Sequence, residues 1–351
     1  MKKILKIILI ILIVLIVIAA GFLAWMTIVE YKPEPVEKAE TELNAENAEK
    51  VSTGEKIDVM SWNIGYGGLG KGEDCFMDGG EEVAPENKEV VEKYLSGIKS
   101  SIDKEKPDIL MLQETDLGSA RSFDINEAEM LAKKNSAFAP NFRVHFVPYP
   151  LPPIGRVDSG VFTTTDYAIE KADRVALPCP FSWPARTANL KRCLLVSYMP
   201  VENSDKKLVM VNLHLEAYDD GEGKIEQTKV LREFIKKEYD KGNYVIAGGD
   251  FNQTFPGTMK KYPIIHDDYW KPGVLENSFL PDGWEFTYDT TNPTCRLDNC
   301  PYDENSPDAQ HYVLDGYILS PNVKLNSVES LNLHFENTDH NPVKINVTLE
   351  K

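Results

Sequence analysis

Six short stretches of this sequence end or interrupt an apolar run with a residue able to hold a cation or move a proton. They are Asn63 in MSWN, Glu114 in LMLQET, His214 in VNLHLEA, Asp250 and Asn252 in AGGDFN, Asp315 in VLDGYIL, and Asp339 with His340 in TDHNP. Carboxylates and side-chain amides are oxygen donors for hard divalent cations, and imidazole exchanges protons near neutral pH. Each stretch alone is ordinary. An acid after a strand is more often a cap or turn residue, and a lone histidine on a strand is usually structural. The set is less ordinary, because strand cores do not end in carboxylates unless something binds or pairs them. Asn212 and His214 share one strand face by the period of two, as do Asp250 and Asn252.

The series WN, QE, N-x-H-L, GD-F-N, a strand aspartate and D-H resembles the endonuclease/exonuclease/phosphatase superfamily. That superfamily includes deoxyribonuclease I, apurinic endonucleases, inositol polyphosphate 5-phosphatases and neutral sphingomyelinases. The likeness spans about Ile57 to Val347. It implies a four-layer α/β/β/α sandwich, two packed mixed β-sheets flanked by helices, with the active site at the strand ends. It also implies a Mg2+-dependent (or Mn2+- or Ca2+-dependent) phosphoesterase in which an activated water attacks phosphorus in line.

A phosphoester is anionic, and attack adds negative charge to its oxygens, which a bound divalent cation offsets. Glu114 is the natural metal carboxylate, with Asn63 beside it. Asp250 and Asn252 can hold and polarise a water, or support a second metal. His340, oriented by Asp339, can stabilise the transition state or transfer a proton; alternatively Asp339 ligates the metal. The resemblance makes His214 a candidate general acid for the leaving oxygen. It gives Asp315 a part in protonating the leaving group or in orienting a neighbour. Two departures stand out. Val313-Leu314-Asp315-Gly316 replaces a frequent Arg-Ile-Asp-Tyr, and Thr338 replaces a serine. Arg192 is equally suited to touch phosphate or to form a salt bridge.

The elements that must position these residues are legible as short β-type runs alternating with helix-compatible stretches. Ile57–Trp62, Asp108–Gln113, Gly160–Thr164, Cys193–Met199, Lys207–Leu215, Tyr244–Asp250, Tyr312–Leu319 and Pro342–Leu349 read as strands. Asn87–Glu105 and Ile225–Tyr239 carry apolar residues at helical spacing. This alternation predicts one α/β domain over residues 57–351. Gly65–Glu86 and Pro281–Asp308 read as long loops. FVPYPLPPIGRV, Phe146–Val157, suits a rigid surface loop or a surface facing substrate or membrane. In SWNIGYGGLGKG the glycines fail as a dinucleotide or P-loop fingerprint, because no amphipathic helix follows and Gly72 stands where Ser or Thr belongs. They predict a mobile loop beside the site.

Ahead of the domain, residues 1–6 form a short basic end. The uncharged run from Ile7 to Val29 would make a helix of about 35 Å, enough to cross a bilayer. A signal peptide has a shorter apolar core, about 7–15 residues, so a retained anchor is expected, with secretion the outcome if the segment is cut. Lys2, Lys3 and Lys6 favour an inside N-terminus and a domain outside the cytoplasm. Residues 30–56 read as a solvated tether. The formal charge is -17, nearly all of it on the domain, and a field of that sign repels nucleic acid at long range. The expected partners are a phosphate-ester substrate (nucleic acid, phospholipid headgroup or phosphorylated small molecule) and the membrane through the N-terminal helix. A monomer is expected. Among five cysteines, Cys295 and Cys300 have a spacing that a disulfide can bridge, with unpaired thiols the alternative. The competing function is a catalytically silent surface binding module on the same fold.

Overall fold

A computed structural model describes residues 2–43, 48–219 and 221–350. Residues 44–47 of the expected tether, and both chain ends, lie outside the described residues. In chain order the first elements are α1 (Lys2–Ile28), β1 (Val36–Lys38), β2 (Glu40–Glu42), β3 (Lys56–Asn63), α2 (Lys88–Glu105) and β4 (Ile109–Asp116). Then come α3 (Glu127–Leu131), β5 (Asn135–Val147), β6 (Gly155–Thr165), β7 (Lys171–Ala176), β8 (Cys193–Pro200), β9 (Lys207–His214) and α4 (Glu222–Asp240). The last are β10 (Tyr244–Asp250), β11 (Gln253–Thr254), β12 (Gly273–Val274), β13 (Glu285–Thr287), β14 (Cys295–Arg296), β15 (His311–Tyr312), β16 (Asp315–Leu319), β17 (Val323–Ser330) and β18 (Val343–Leu349).

Two mixed seven-stranded sheets face each other. One runs β17-β18-β3-β4-β6-β5-β2 and the other β1-β7-β8-β9-β10-β16-β13. Val59, Met111, Val161 and Ile345 of the first sheet meet Leu195, Met210, Ile246 and Tyr317 of the second in a closed apolar layer. The outer face of the first sheet is covered by α2, whose Val91, Leu95, Ile98 and Ile102 pack on Met60, Trp62, Leu110 and Leu112. The outer face of the second is covered by α4, through Leu231 and Ile235 against Val209, Val211 and Val245. The result is the α/β/β/α sandwich expected. Strands buried on both faces read as continuous apolar runs, which is why DILMLQ and YVIAGG lack alternation. Asn87 caps α2 by accepting a hydrogen bond from the Val90 amide at 3.1 Å, the cap its sequence position predicts.

The tether expectation needs correction. β1 pairs with β7 and β2 with β5, extending one edge of each sheet. Val51 is fully buried and bridges to Val201. The polar composition hid this, because edge strands with one solvated face can be rich in Glu and Lys. The glycine stretch is also not the mobile loop expected: every residue from Ser61 to Gly70 is buried. A Cβ on Gly70 would lie 2.2 Å from the Tyr94 ring, so α2 approaches this backbone too closely for any side chain. Among the described residues the five cysteines are unbonded, Cys295 buried and Cys300 exposed.

Candidate active site

Register brings three of the candidate residues abreast. In the second sheet Asp250 of β10 sits opposite His214 of β9 and Asp315 of β16. Gly249 makes this possible: at φ +143° a Cβ there would lie 1.9 Å from the Leu213 carbonyl oxygen. Asp250 Oδ1 accepts from the Asn252 amide at 2.8 Å, and Oδ2 accepts from Asn63 Nδ2 at 3.1 Å. The same Oδ2 lies 3.3 Å from His214 Nε2 and 3.8 Å from His340 Nε2. Asn252, at φ +50°, donates its side-chain amide to the Leu215 carbonyl at 2.9 Å and so holds the chain leaving β9.

The first sheet supplies the facing half. Asn63 ends β3 and donates to Glu114 Oε1 at 3.2 Å as well as to Asp250, which links the two sheets at their ends. Glu114 lies in the irregularity where β4 slips register against β6, between Leu112 and Thr115, at φ +53°. Bulges of this kind re-aim a side chain beside a functional site. The left-handed backbone of a non-glycine residue is a strain that the surroundings must hold in place. Asp339 and His340 precede β18, which runs antiparallel to β3, so they return to the Asn63 end of the sheet. Trp62 Nε1 donates to the His340 carbonyl at 2.8 Å, and the Thr338 hydroxyl lies 3.2 Å from the Asn63 carbonyl oxygen.

The partner of His340 differs from the expected one. Its Nδ1 donates to Asp315 Oδ2 at 2.8 Å, whereas Asp339 Oδ2 is 4.0 Å from Nε2. Asp315 therefore orients the ring, and Asp339 is left facing the cleft. Adjacent sequence positions suggested the other pairing, but β16 brings Asp315 to the His340 ring where the chain bends into β18. Asn212 lies inside the sandwich, donating to the Leu112 and Phe162 carbonyls, so it joins the sheets rather than lining the cleft. Arg192 pairs with Glu216 at 3.5 Å while lining the cleft.

Burial and crowding set the protonation states. Burial, reinforced by Asp315, pushes the Asp250 carboxyl up to about 7 despite the opposing His340, Asn252 and Asn63. Burial, with Asp339 nearby, also raises Glu114, against the pull of Arg121. Burial opposes charge on His340, but Asp315, Cys295 and Asp339 together outweigh it and hold the ring's proton affinity well above its ordinary range. Burial, then Arg192 and His340, drives His214 well below its ordinary value, so its ring is neutral. Asp250, Asp315 and His340 offer ligand atoms within 4.8 Å of one another, all buried. Since His340 Nδ1 is engaged by Asp315, the oxygen-rich side of the cleft, Glu114, Asn63 and Asp339, is the better fit for a hard cation. Asp315 Oδ1 is buried with no hydrogen-bond partner among the described residues. Crowded carboxylates that burial leaves under-compensated are what a divalent ion neutralises.

Residue types alone do not reveal four further cleft residues, Tyr66, Asp78, Arg121 and Tyr218. Arg121 stacks 3.6 Å from the centre of the Tyr66 ring and pairs with Asp116 at 3.0 Å. Tyr218 donates to Asp78 Oδ1 at 2.8 Å, closing loop 65–86 onto the β9–α4 connection. None of these four ends a strand, so their positions in the sequence carry no mark of the site.

The sequence matches the Endonuclease/Exonuclease/phosphatase family over residues 60–340. This chain belongs to that family. Its members are phosphoester hydrolases, usually dependent on a divalent metal. Solved structures share the fold at low identity. An endonuclease/exonuclease/phosphatase from Beutenbergia cavernae DSM 12333 superposes with a TM-score of 0.56 at 18% identity, covering 84% of this chain and 72% of that one. A family protein from Leptotrichia buccalis C-1013-b gives 0.52 at 15%, covering 84% and 100%. The human Nocturnin catalytic domain with bound sulfate anion gives 0.50 at 16%, covering 89% and 97%. No curated protein matches the chain.

Proposed function

We propose that this protein is a membrane-anchored, extracytoplasmic phosphoesterase, with Mg2+ as its natural cation, hydrolysing a P–O ester bond by in-line attack of water. The observation that carries this reading is the unbroken sequence of contacts Glu114–Asn63–Asp250 facing Asp315–His340 across one cleft. Glu114, Asn63 and Asp339 would hold the cation, which when bound supplies positive charge to offset that on the phosphoryl oxygens.

The chain's own residues then divide the proton work. Asp250, held near neutrality in its affinity for protons, is poised to accept one from the attacking water. Asn252 N–H and Asn63 Nδ2 fix its two oxygens. The neutral His214 keeps its Nε2 toward Asp250 and positions that carboxylate. His340 is the cationic ring, so it is the group with a proton to give to the leaving oxygen. This shifts the general-acid part from His214 to His340. In balance, the water oxygen bonds to phosphorus and the ester P–O bond breaks. One water proton passes to Asp250 and on to solvent or product phosphate, and the leaving alkoxide takes the proton of His340, which is then restored.

α1 is long and apolar enough to span a membrane. Lys2, Lys3 and Lys6 at its start favour an N-terminus inside and a domain outside, which supports this reading. The test is turnover of a soluble aryl phosphodiester by the full chain in detergent. Mg2+ should support it, EDTA should abolish it, and His340→Ala and Asp250→Ala should each remove it while the domain stays folded. No turnover with Mg2+, Mn2+ or Ca2+ would leave a silent binding module.

A further inference from the structure

The last turns of α1 are not free of the domain. Met26 is buried with Val144, Val147 and Val157, and Phe22, Phe142, Phe146, Ile154 and Ala188 pack on the same cluster. Phe22 meets Phe146 edge to face at 6.3 Å. Trp183 Nε1 donates to Thr27 Oγ1 at 3.1 Å, and Arg186 Nε to Glu30 Oε1 at 3.0 Å. Four members of this seat, Phe142, Val147, Ile154 and Ala188, also line the cleft that contains Glu114, Asp250 and His340. The wall that holds the helix end is therefore the outer wall of the candidate active site.

Apolar side chains line much of that cleft, among them Phe76, Met77, Val83, Tyr149 and Ile154. Tyr149, at the tip between β5 and β6, meets Phe76 of the opposite lip edge to face at 6.2 Å. Beside it, Leu151 is 88% exposed and Trp183 53%. From Lys2 to Ala20 the helix is exposed throughout. A helix that crosses the bilayer and ends in this seat puts the exposed tip at the lipid–water boundary, where aromatic and leucine side chains are stable. The charge of the domain disfavours the alternative occupant, a polyanion drawn from solution.

We propose that the β5–β6 tip and Trp183 rest in the membrane surface, and that the cleft takes phosphodiesters whose apolar chains remain in the adjoining leaflet. This rests on the phosphoesterase reading. It adds that the helix end, by packing against the cleft wall, fixes where substrate comes from. The reaction keeps the balance given above, with the alcohol or the phosphorylated headgroup released to water.

The full chain in phosphatidylcholine vesicles tests this with three substrates and Mg2+: the vesicle phospholipid, a soluble aryl phosphodiester and plasmid DNA. Leu151→Glu changes only the exposed tip, which touches no catalytic residue. The expected result is hydrolysis of lipid and aryl ester, with DNA cut at least about tenfold more slowly than lipid. Leu151→Glu should lose about tenfold or more of the lipid rate, on the scale of withdrawing one leucine from an apolar phase, with the aryl rate unchanged. Hydrolysis of aryl ester and DNA with lipid untouched overturns the proposal and spares the phosphoesterase reading. So does wild-type lipid turnover by Leu151→Glu. Failure on all three substrates takes down both.

Discussion

Asp315 and His340, 25 residues apart in sequence, face each other with Oδ2 and Nδ1 2.8 Å apart. Both are about nine-tenths or more buried, and the contact fixes one tautomer of the ring and the direction of its Nε2. Asp339, next to His340 in sequence, is more open at 13% side-chain exposure. The two aspartates therefore have separable parts. Asp315→Asn should lower kcat by about 10²–10⁴-fold, the range for losing a positioned acid–base group, with little change in the Mg2+ concentration needed. Asp339→Asn should instead raise that Mg2+ concentration. Steady-state kinetics at several Mg2+ concentrations separate the two, and identical profiles would contradict the assignment.

Glu114 is expected to be the main carboxylate for the cation. Glu114→Gln keeps the Asn63 contact but removes the charge, so the Mg2+ requirement should rise by well over about tenfold. Isothermal titration of the metal-free protein gives the answer without relying on turnover.

Asp250 makes the metal-free protein sensitive to pH. Its folded pKa of about 7 lies above the unfolded value of about 3.9. Between those values the folded state holds more protons than the unfolded chain, so stability falls as pH rises through 7. In EDTA, the thermal midpoint should therefore climb as pH is lowered from 8 toward 5. Asp250→Asn should flatten that dependence, which differential scanning calorimetry would show. Added divalent cation should also flatten it, because it offsets the buried charge.

Arg121 contacts Asp116 through two nitrogens, at 3.0 and 3.2 Å, and Asp116 is fully buried. Arg121→Met leaves that carboxylate without its counter-ion. The expected loss is about 3–5 kcal/mol of stability, measurable by urea unfolding. Arg121→Lys should recover only part of it, since an ammonium cannot reproduce the paired contact or the stacking on Tyr66.

Much of the sandwich is legible in residue patterns. Apolar runs in DILMLQ, KLVMVNLHL and YVIAGGD mark strands buried on both faces. The helical face of Asn87–Glu105 became α2 within a residue of its expected bounds. The polar residues that end those runs converge at one end of the sandwich, because a strand end is where side chains meet solvent without disturbing the sheet. The glycine stretch is not legible in this way, because composition alone suggests flexibility, while the close approach of Tyr94 to Gly70 is a long-range fact. Residues 30–56 hide their strands for the same kind of reason: pairing at a sheet edge depends on backbone groups that every residue has, so side-chain types carry little trace of it. Only the tertiary structure decided which aspartate holds His340. Chain neighbours need not face each other where the chain bends, whereas β16 and the approach to β18 bring Asp315 and His340 together from different sheets. It alone decided that the end of α1 shares a wall with the cleft, since the apolar pattern of a helix shows that it must be covered but not by what.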